Sequence, residues 1–175
     1  MIKIAITGPE SSGKSTLTKF LANYYDAPFC AEYAREYLTI HQGEYIQQDL
    51  DKIAAGQQKQ WNALQEHKIA FYDTEMTVIF IWSNVKFGSV SPLIENAIEH
   101  QTFTHYLLCK PDIAWEDDPL RENQYDRDDL FKLYHEELTK RKFPFTIIEG
   151  DNIKREAKAT DIIDHLLVTH NSSCF

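Results

Sequence analysis

A glycine-rich turn between a short apolar run and a helical pattern constrains this chain most. Residues 8–16 read GPESSGKST and satisfy the pattern G-x-x-x-x-G-K-[ST], with an apolar run before them and apolar residues at helical spacing after them. Glycines permit backbone conformations and a close approach that a Cβ would block, so that successive N–H groups can converge on phosphates. A helix N-terminus adds further donors and a favourable dipole. The motif therefore predicts a strand, a nucleotide-binding loop and a helix.

The residue types of this loop predict an ATP site. The residues expected to bind the nucleotide are Gly8, Pro9, Glu10, Ser11, Ser12, Gly13, Lys14, Ser15 and Thr16. We expect Lys14 to reach the β- and γ-phosphates and to follow the charge onto the transferred group, and the Ser15 hydroxyl to ligate Mg²⁺. Glu10 is unusual, because a carboxylate beside a triphosphate is repelled. Its side chain is expected to point away from the phosphates, either into solvent or toward an acceptor pocket.

The rest of the chain predicts one α/β domain. Short, largely apolar runs recur at residues 2–7, 28–31, 69–72, 105–109 and 145–148, with helical patterns at 45–67, after Ser91-Pro92, at 130–138 and at 157–168. Such strands are typical of a parallel sheet that helices cover on both faces. We therefore predict a P-loop NTPase fold with a doubly wound, five-stranded parallel sheet in residues 1–169, and a frayed tail at 170–175.

The charge and hydropathy of the sequence argue against nucleic acids and membranes as partners. The formal net charge is -9, whereas nucleic-acid binding requires clustered Lys and Arg. The longest apolar run after the first strand, residues 78–82, is too short to cross a bilayer, and the N-terminus lacks the pattern of a secretory signal. We expect a cytoplasmic protein with small-molecule partners, and a homo-oligomer is compatible with the sequence.

Asp73 is the candidate for a second residue, besides Ser15, that binds Mg²⁺. The guanine-specifying pattern N-K-x-D is absent from the sequence, so guanine specificity is not expected. Asp73 follows the run 69–72 directly, at an edge of the sheet that lies beside the phosphate loop in a doubly wound fold. It would bind Mg²⁺ directly or through water. The alternative is that Asp73 caps the next helix.

The sequence AEYAREY at residues 31–37 predicts an acceptor pocket after the second strand. Glu32, Tyr33 and Arg35 are its candidate ligand-binding residues, and Glu32 or Asp73 would orient or deprotonate the acceptor hydroxyl. The sequence leaves open which of these two carboxylates does so. The alternative is that Glu32 and Arg35 form a solvated ion pair between positions i and i+3.

The polar segment 110–127 predicts a lid over the phosphates. Arg121 and Arg127 would neutralise charge in the transition state while water is excluded. Trp115 would stack on a planar cationic ring. The alternative is a solvated, charged loop held in place by its tryptophan.

Four motifs together resemble the ribosylnicotinamide kinase domain of the NadR-type family of P-loop ATPases and kinases. They are GPESSGKST, AEYAREY, FYDTE and PDIAWEDDPLRE with Arg127, and the similarity runs from residue 2 to about residue 150. The resemblance implies transfer of the γ-phosphoryl group of ATP to the 5′-hydroxyl of nicotinamide riboside, which gives nicotinamide mononucleotide for NAD salvage.

The same resemblance supplies further expectations. Longer family members carry a nucleotidyltransferase domain and some carry a helix-turn-helix, so we expect this chain to act as a stand-alone kinase. From topology alone, we expect the turn at 149–152, with Gly150 and Asn152, to lie where related folds hold the adenine. Two other functions stay open: a kinase for another nucleoside or nucleotide, and a regulatory ATP-binding module.

Overall fold

The computed structural model describes residues 1–64 and 67–172. In these residues the strands are β1 (Ile2–Thr7), β2 (Phe29–Cys30), β3 (Ile69–Asp73), β4 (His105–Cys109) and β5 (Phe145–Ile148). The helices are α1 (Lys14–Tyr24), α2 (Tyr33–Ile40), α3 (Gln47–Asn62), α4 (Met76–Phe87), α5 (Pro92–His100), α6 (Arg127–Lys140) and α7 (Asn152–Ser172).

The five strands form one parallel sheet in the order β2-β3-β1-β4-β5, which confirms the predicted fold class. From β1 the chain passes to β2 at one edge of the sheet and returns to β3 beside β1. It then forms β4 and β5 on the other side of β1. The carboxyl ends of β1, β3 and β4 therefore lie side by side at the point where the direction of winding changes. In open α/β sheets, ligands bind in the crevice at this point.

Alternation along the strands divides the core between the two faces of the sheet. Ile4 and Ile6 of β1 pack with Leu21 of α1 and Ile163 of α7 on one face. Ala5, the residue between them, belongs to the cluster on the other face, which contains side chains of β4, α4 and α6. Helices thus cover both faces, because neighbouring strand residues point in opposite directions.

Several boundaries differ from the sequence prediction. α4 was not predicted, because its apolar run lacks the one-sided spacing of a surface helix and packs on several sides. α3 ends at Asn62, short of the predicted 67, and residues 65–66 of that prediction lie outside the described residues. α7 begins at Asn152 and continues to Ser172, so residues 170–172 are helical where we expected a frayed tail; residues 173–175 lie outside the described residues.

The predicted start of α5 is confirmed. Ser91 accepts a hydrogen bond from the Ile94 N–H, and Pro92 occupies the first turn. None of the helices in the two described ranges has the length and apolar character required to cross a membrane.

Candidate functional site

The loop between β1 and α1 depends on two glycines. Gly8 has φ +131°, and a Cβ at this position would lie 2.5 Å from the carbonyl oxygen of Cys109 on β4. Gly13 precedes α1 with φ +81°. Both conformations favour glycine, and together they let the loop turn tightly above β1 and β4.

Lys14 folds back over this loop. Its Nζ donates to the carbonyl oxygens of Gly8, at 2.9 Å, and Pro9, at 2.7 Å. The Ser12 hydroxyl also donates to the Pro9 carbonyl, at 2.7 Å. The ammonium group is thereby held at the loop by two carbonyl oxygens of the protein.

Asp73 lies beside the loop because β3 pairs with β1, with Asp73 opposite Ile6. The side chain is buried, and its Oδ1 has no hydrogen-bond partner among the described residues. Burial raises the pKa of Asp73, while the Ser15 hydroxyl and the Lys14 charge oppose that rise. Asp73 and Ser15 therefore stand together, as a shared ligand would require.

Glu75, rather than Asp73, caps α4, and sequence analysis assigned Glu75 no role. Its buried carboxylate accepts from the Thr7 hydroxyl at 2.7 Å, the Thr77 N–H at 2.7 Å and Gln101 Nε2 at 2.8 Å. Burial raises its pKa, and these hydrogen bonds oppose the rise. Because Thr7 immediately precedes the glycine-rich loop, Glu75 fixes the end of β3 to the end of β1.

Glu32 stands at the N-terminus of α2 and faces the same region. Burial raises its pKa; the Lys14 charge opposes this rise and the Asp73 charge adds to it, so that the three groups form one electrostatic cluster. The alternative of an ion pair between Glu32 and Arg35 is not found among the ion pairs of the described residues. Arg35 instead pairs with Asp118 in the segment 110–127, at 2.8 Å.

Tyr33 packs against α3. Its backbone N–H donates to Gln57 Oε1 at 2.8 Å. Its ring packs on α3 at Gly56, where an added Cβ would lie 2.1 Å from the ring. Tyr33 therefore holds α2 against α3.

The segment 110–127 closes onto the glycine-rich loop. The Ser11 hydroxyl accepts from the Glu116 N–H at 3.0 Å, and the Ser11 carbonyl accepts from Arg127 Nη1 at 3.0 Å. Glu10 Oε2 accepts from the backbone N–H groups of Glu122 and Asn123, at 3.0 Å each. The Glu10 carboxylate thus contacts the lid, at residues that line the same cavity as Glu10 itself.

Trp115 contacts the lid arginines. The guanidinium carbons of Arg121 and Arg127 lie 5.8 and 5.6 Å from its ring centroid, and its Nε1 donates to Asp117. Arg121 lines the cavity beside the glycine-rich loop. The site candidates absent from the described residues that line this cavity are Tyr33, Asp73, Trp115, Arg127 and Gly150. The tryptophan therefore positions the arginines in this structure.

Arg155 of α7 is a buried residue that sequence analysis missed. It donates to the carbonyl oxygens of Ser12 at 2.7 Å, Lys110 at 2.7 Å and Gly150 at 2.6 Å, and it forms a short ion pair with Asp112. It therefore joins the glycine-rich loop, the end of β4 and the turn after β5. Its position early in α7 gives no periodic signal that distinguishes it from an exposed arginine.

One cavity of about 870 Å³ connects these elements. The glycine-rich loop and Glu32 line one part, and Asn152 lines it near the turn that contains Gly150. Another part of the lining consists of aromatic and aliphatic side chains from the 43–45 loop, α4 and α6, namely Tyr45, Val78, Ile81, Trp82, Leu130 and Tyr134. A volume of this size is typical of sites for small organic ligands.

Comparison with known proteins places this fold in a family. A family model described as an AAA domain matches residues 3–155. The chain belongs to the AAA domain family. The matched part of this AAA domain contains the glycine-rich loop, Asp73, the lid segment and Arg155.

Two relatives of this AAA domain carry the same description, trifunctional NAD biosynthesis/regulator protein NadR. The protein from Escherichia coli (strain K12) is 32% identical over an alignment of 157 residues, and the match covers 85% of this chain and 38% of the relative. The protein from Salmonella typhimurium (strain LT2) is 30% identical over an alignment of 173 residues, and the match covers 94% of this chain and 42% of the relative. The chain thus spans about two fifths of the length of these relatives.

Solved structures share the fold of this AAA domain. NadR in complex with NR has a TM-score of 0.79 at 22% identity, and NadR with NAD and AMP-PNP has 0.76 at 20%; each match covers 94% of this chain and about half of the other. Deoxyadenosine kinase from M. mycoides has a TM-score of 0.68 at 14% identity and matches over its full length. The fold is thus that of P-loop nucleoside kinases.

Proposed function

We propose that this chain is an ATP-dependent kinase that phosphorylates the 5′-hydroxyl of nicotinamide riboside and forms nicotinamide mononucleotide. The observation that carries the proposal is the cavity of about 870 Å³, which is lined by the glycine-rich loop, Glu32, an aromatic wall and the lid segment. Donor and acceptor would meet within it. Phosphoryl transfer requires chiefly such positioning, together with stabilisation of the charge on the transferred group.

The donor half of the cavity suits a triphosphate with Mg²⁺. Lys14 would exchange its two loop carbonyls for the β- and γ-phosphates. The buried Asp73 Oδ1, which has no hydrogen-bond partner in the described part of the chain, and the adjacent Ser15 hydroxyl fit a Mg²⁺ ion, held directly or through water. No group of three or more His, Cys, Asp or Glu side chains suited to metal binding occurs in the described residues, and a P-loop site does not require one. When bound, Mg²⁺ would neutralise charge on the phosphates.

The acceptor half would use Glu32 and the aromatic wall. Glu32 would accept the hydrogen bond of the attacking hydroxyl, while Lys14 and Arg121 stabilise charge on the phosphoryl group. Trp82 and Tyr45 form an edge-to-face pair at 4.9 Å, joined by a hydrogen bond from the Trp82 Nε1 to the Tyr45 hydroxyl. Because Trp115 contacts two arginines, Trp82 is the better candidate to contact the acceptor base.

The relatives support this acceptor. Proteins described as NadR share about 30% identity with most of the chain, and solved NadR structures with this fold hold NR or AMP-PNP. These relatives are more than twice as long as the chain, so the proposal concerns one of their activities.

An acceptor panel tests the proposal. The protein, ATP and Mg²⁺ are incubated with nicotinamide riboside, cytidine, uridine, adenosine or deoxynucleosides, and phosphorylated products are quantified by mass spectrometry. Nicotinamide riboside is expected to give the highest kcat/KM. A higher kcat/KM for another nucleoside would identify that nucleoside as the acceptor in place of nicotinamide riboside. A rate of ATP hydrolysis that no added nucleoside changes would favour a regulatory ATP-binding module.

Asp73→Asn is expected to lower turnover by roughly 10²-fold or more, because a charge that would help to hold Mg²⁺ is lost. The same change is expected to leave the melting temperature unchanged or to raise it. Burial raises the pKa of Asp73, so ionisation of this carboxyl group costs more free energy in the folded protein than in the unfolded chain, and a neutral amide removes that cost. Kinetics over a Mg²⁺ series and thermal unfolding measure both effects. Wild-type turnover would refute this role.

Trp82→Ala is expected to raise the KM for nicotinamide riboside by roughly tenfold, because loss of base stacking weakens binding by about 1–3 kcal/mol. The KM for ATP should change little. Trp115→Ala is the matched control, since the same residue type is removed from the arginine cluster. It should lower kcat with a smaller effect on the acceptor KM. If Trp115→Ala raised the KM for nicotinamide riboside and Trp82→Ala left it unchanged, Trp115 would be the stacking residue.

A further inference from the structure

Glu10 is the one acidic residue of the glycine-rich loop, and the proposed mechanism gives it no role. Its backbone belongs to the loop, while its carboxylate reaches the lid and accepts from two consecutive N–H groups, those of Glu122 and Asn123. Hydrogen bonds from N–H groups to an ionised carboxylate are stronger than those between neutral groups. A single side chain thus connects the two parts of the site that must act together.

These two amides lie directly after a cavity-lining arginine. Arg121 precedes Glu122, and its guanidinium is further held by the Glu116 carbonyl oxygen. The side chain of Glu122 is held as well: its carboxylate accepts from Lys86 Nζ of α4 at 2.7 Å and from the Tyr45 hydroxyl at 3.2 Å. Glu10 therefore fixes the backbone of the lid at the point from which Arg121 extends into the cavity.

We propose that Glu10 is a positioning residue, which couples occupancy of the phosphate loop to closure of the lid and to placement of Arg121. The proposal rests on the proposed function only for its kinetic consequence. Phosphates in the loop repel the Glu10 carboxylate, and the lid amides offer it a favourable position away from them. Nucleotide binding would therefore strengthen the contact between Glu10 and the lid.

Amide hydrogen exchange tests the contact in the ligand-free protein, without reference to activity. Glu10→Ala is expected to speed exchange at the amides of Glu122 and Asn123 by at least about tenfold, because both lose their acceptor. Glu10→Gln keeps a carbonyl oxygen of the same reach and should retain much of the protection. Glu99→Ala, which removes an exposed carboxylate from α5, is the matched control and should resemble the wild type.

Glu10→Asp provides a second variant in case Glu10→Ala does not fold. It retains the charge but is shorter by one methylene, so it should also lose protection at both amides. Wild-type exchange at these amides in a folded Glu10→Ala or Glu10→Asp variant would overturn the proposal.

Kinetics separate positioning from general support of the fold. Glu10→Ala should lower kcat by about tenfold with less than about threefold change in the KM for ATP, because Arg121 would act on the transition state. Glu10→Gln should recover much of the loss. Equal kcat in Glu10→Ala and the wild type would refute the coupling. If no variant, the wild type included, phosphorylates any nucleoside, the proposed function fails while the exchange data still decide whether Glu10 holds the lid.

Discussion

Lys14→Ala is expected to lower turnover by roughly 10²- to 10³-fold, because the ammonium group that follows charge onto the transferred phosphoryl is removed. The fold should persist. Among the described residues, Lys14 Nζ bonds only the carbonyls of Gly8 and Pro9, and the side chain is partly exposed, so water can replace it. Steady-state kinetics with saturating nicotinamide riboside and ATP measure the loss, and circular dichroism reports the fold.

Lys132→Ala is the matched control for this variant. Lys132 lies on α6 and forms an exposed pair with Asp129, so its removal should leave turnover unchanged. A Lys14→Ala protein with wild-type turnover would contradict the assignment of the glycine-rich loop as the phosphate site.

Arg155→Met is expected to be the most destabilising substitution considered, with a loss of about 3–5 kcal/mol. Methionine occupies a similar volume but leaves Asp112 without its cation and the carbonyls of Ser12, Lys110 and Gly150 without their donor. For a chain of this size, the melting temperature should fall by roughly 10 °C. Because Arg155 also supports the loop at Ser12, weaker binding of ATP is expected even where the variant is folded.

Lys158→Met on the same helix provides the comparison. Lys158 is exposed, and its substitution should change the unfolding free energy by less than about 0.5 kcal/mol. Chemical denaturation of both variants separates loss of the buried network from the general effect of replacing a cation by methionine. Similar unfolding free energies for the two would show that Arg155 does not connect these elements as the structure indicates.

The parts of this molecule that local sequence determines were predictable. The glycine-rich loop follows from two glycines whose backbone angles side chains resist, and the strands follow from short apolar runs of the length a buried parallel sheet requires. Asp73 was placed beside the loop because the carboxyl ends of neighbouring parallel strands share one edge.

The parts that depend on distant partners were not predictable. Glu75 and Arg155 appear as ordinary charged residues in the sequence, and only packing shows that each joins separate segments of the chain. Trp115 contacts arginines six and twelve positions further along, at a geometry set by the loop conformation. Similarly, Glu32 and Arg35 have suitable spacing for a helical pair, yet Asp118 of the lid provides the closer partner.

The most direct test of one cavity shared by donor and acceptor is calorimetric titration with two ligands. The protein is first saturated with AMP-PNP and Mg²⁺, and nicotinamide riboside is then added. A shared cavity predicts one AMP-PNP site per chain and one riboside site that remains available in the loaded protein. Failure of AMP-PNP to bind, or displacement of one ligand by the other, would contradict it.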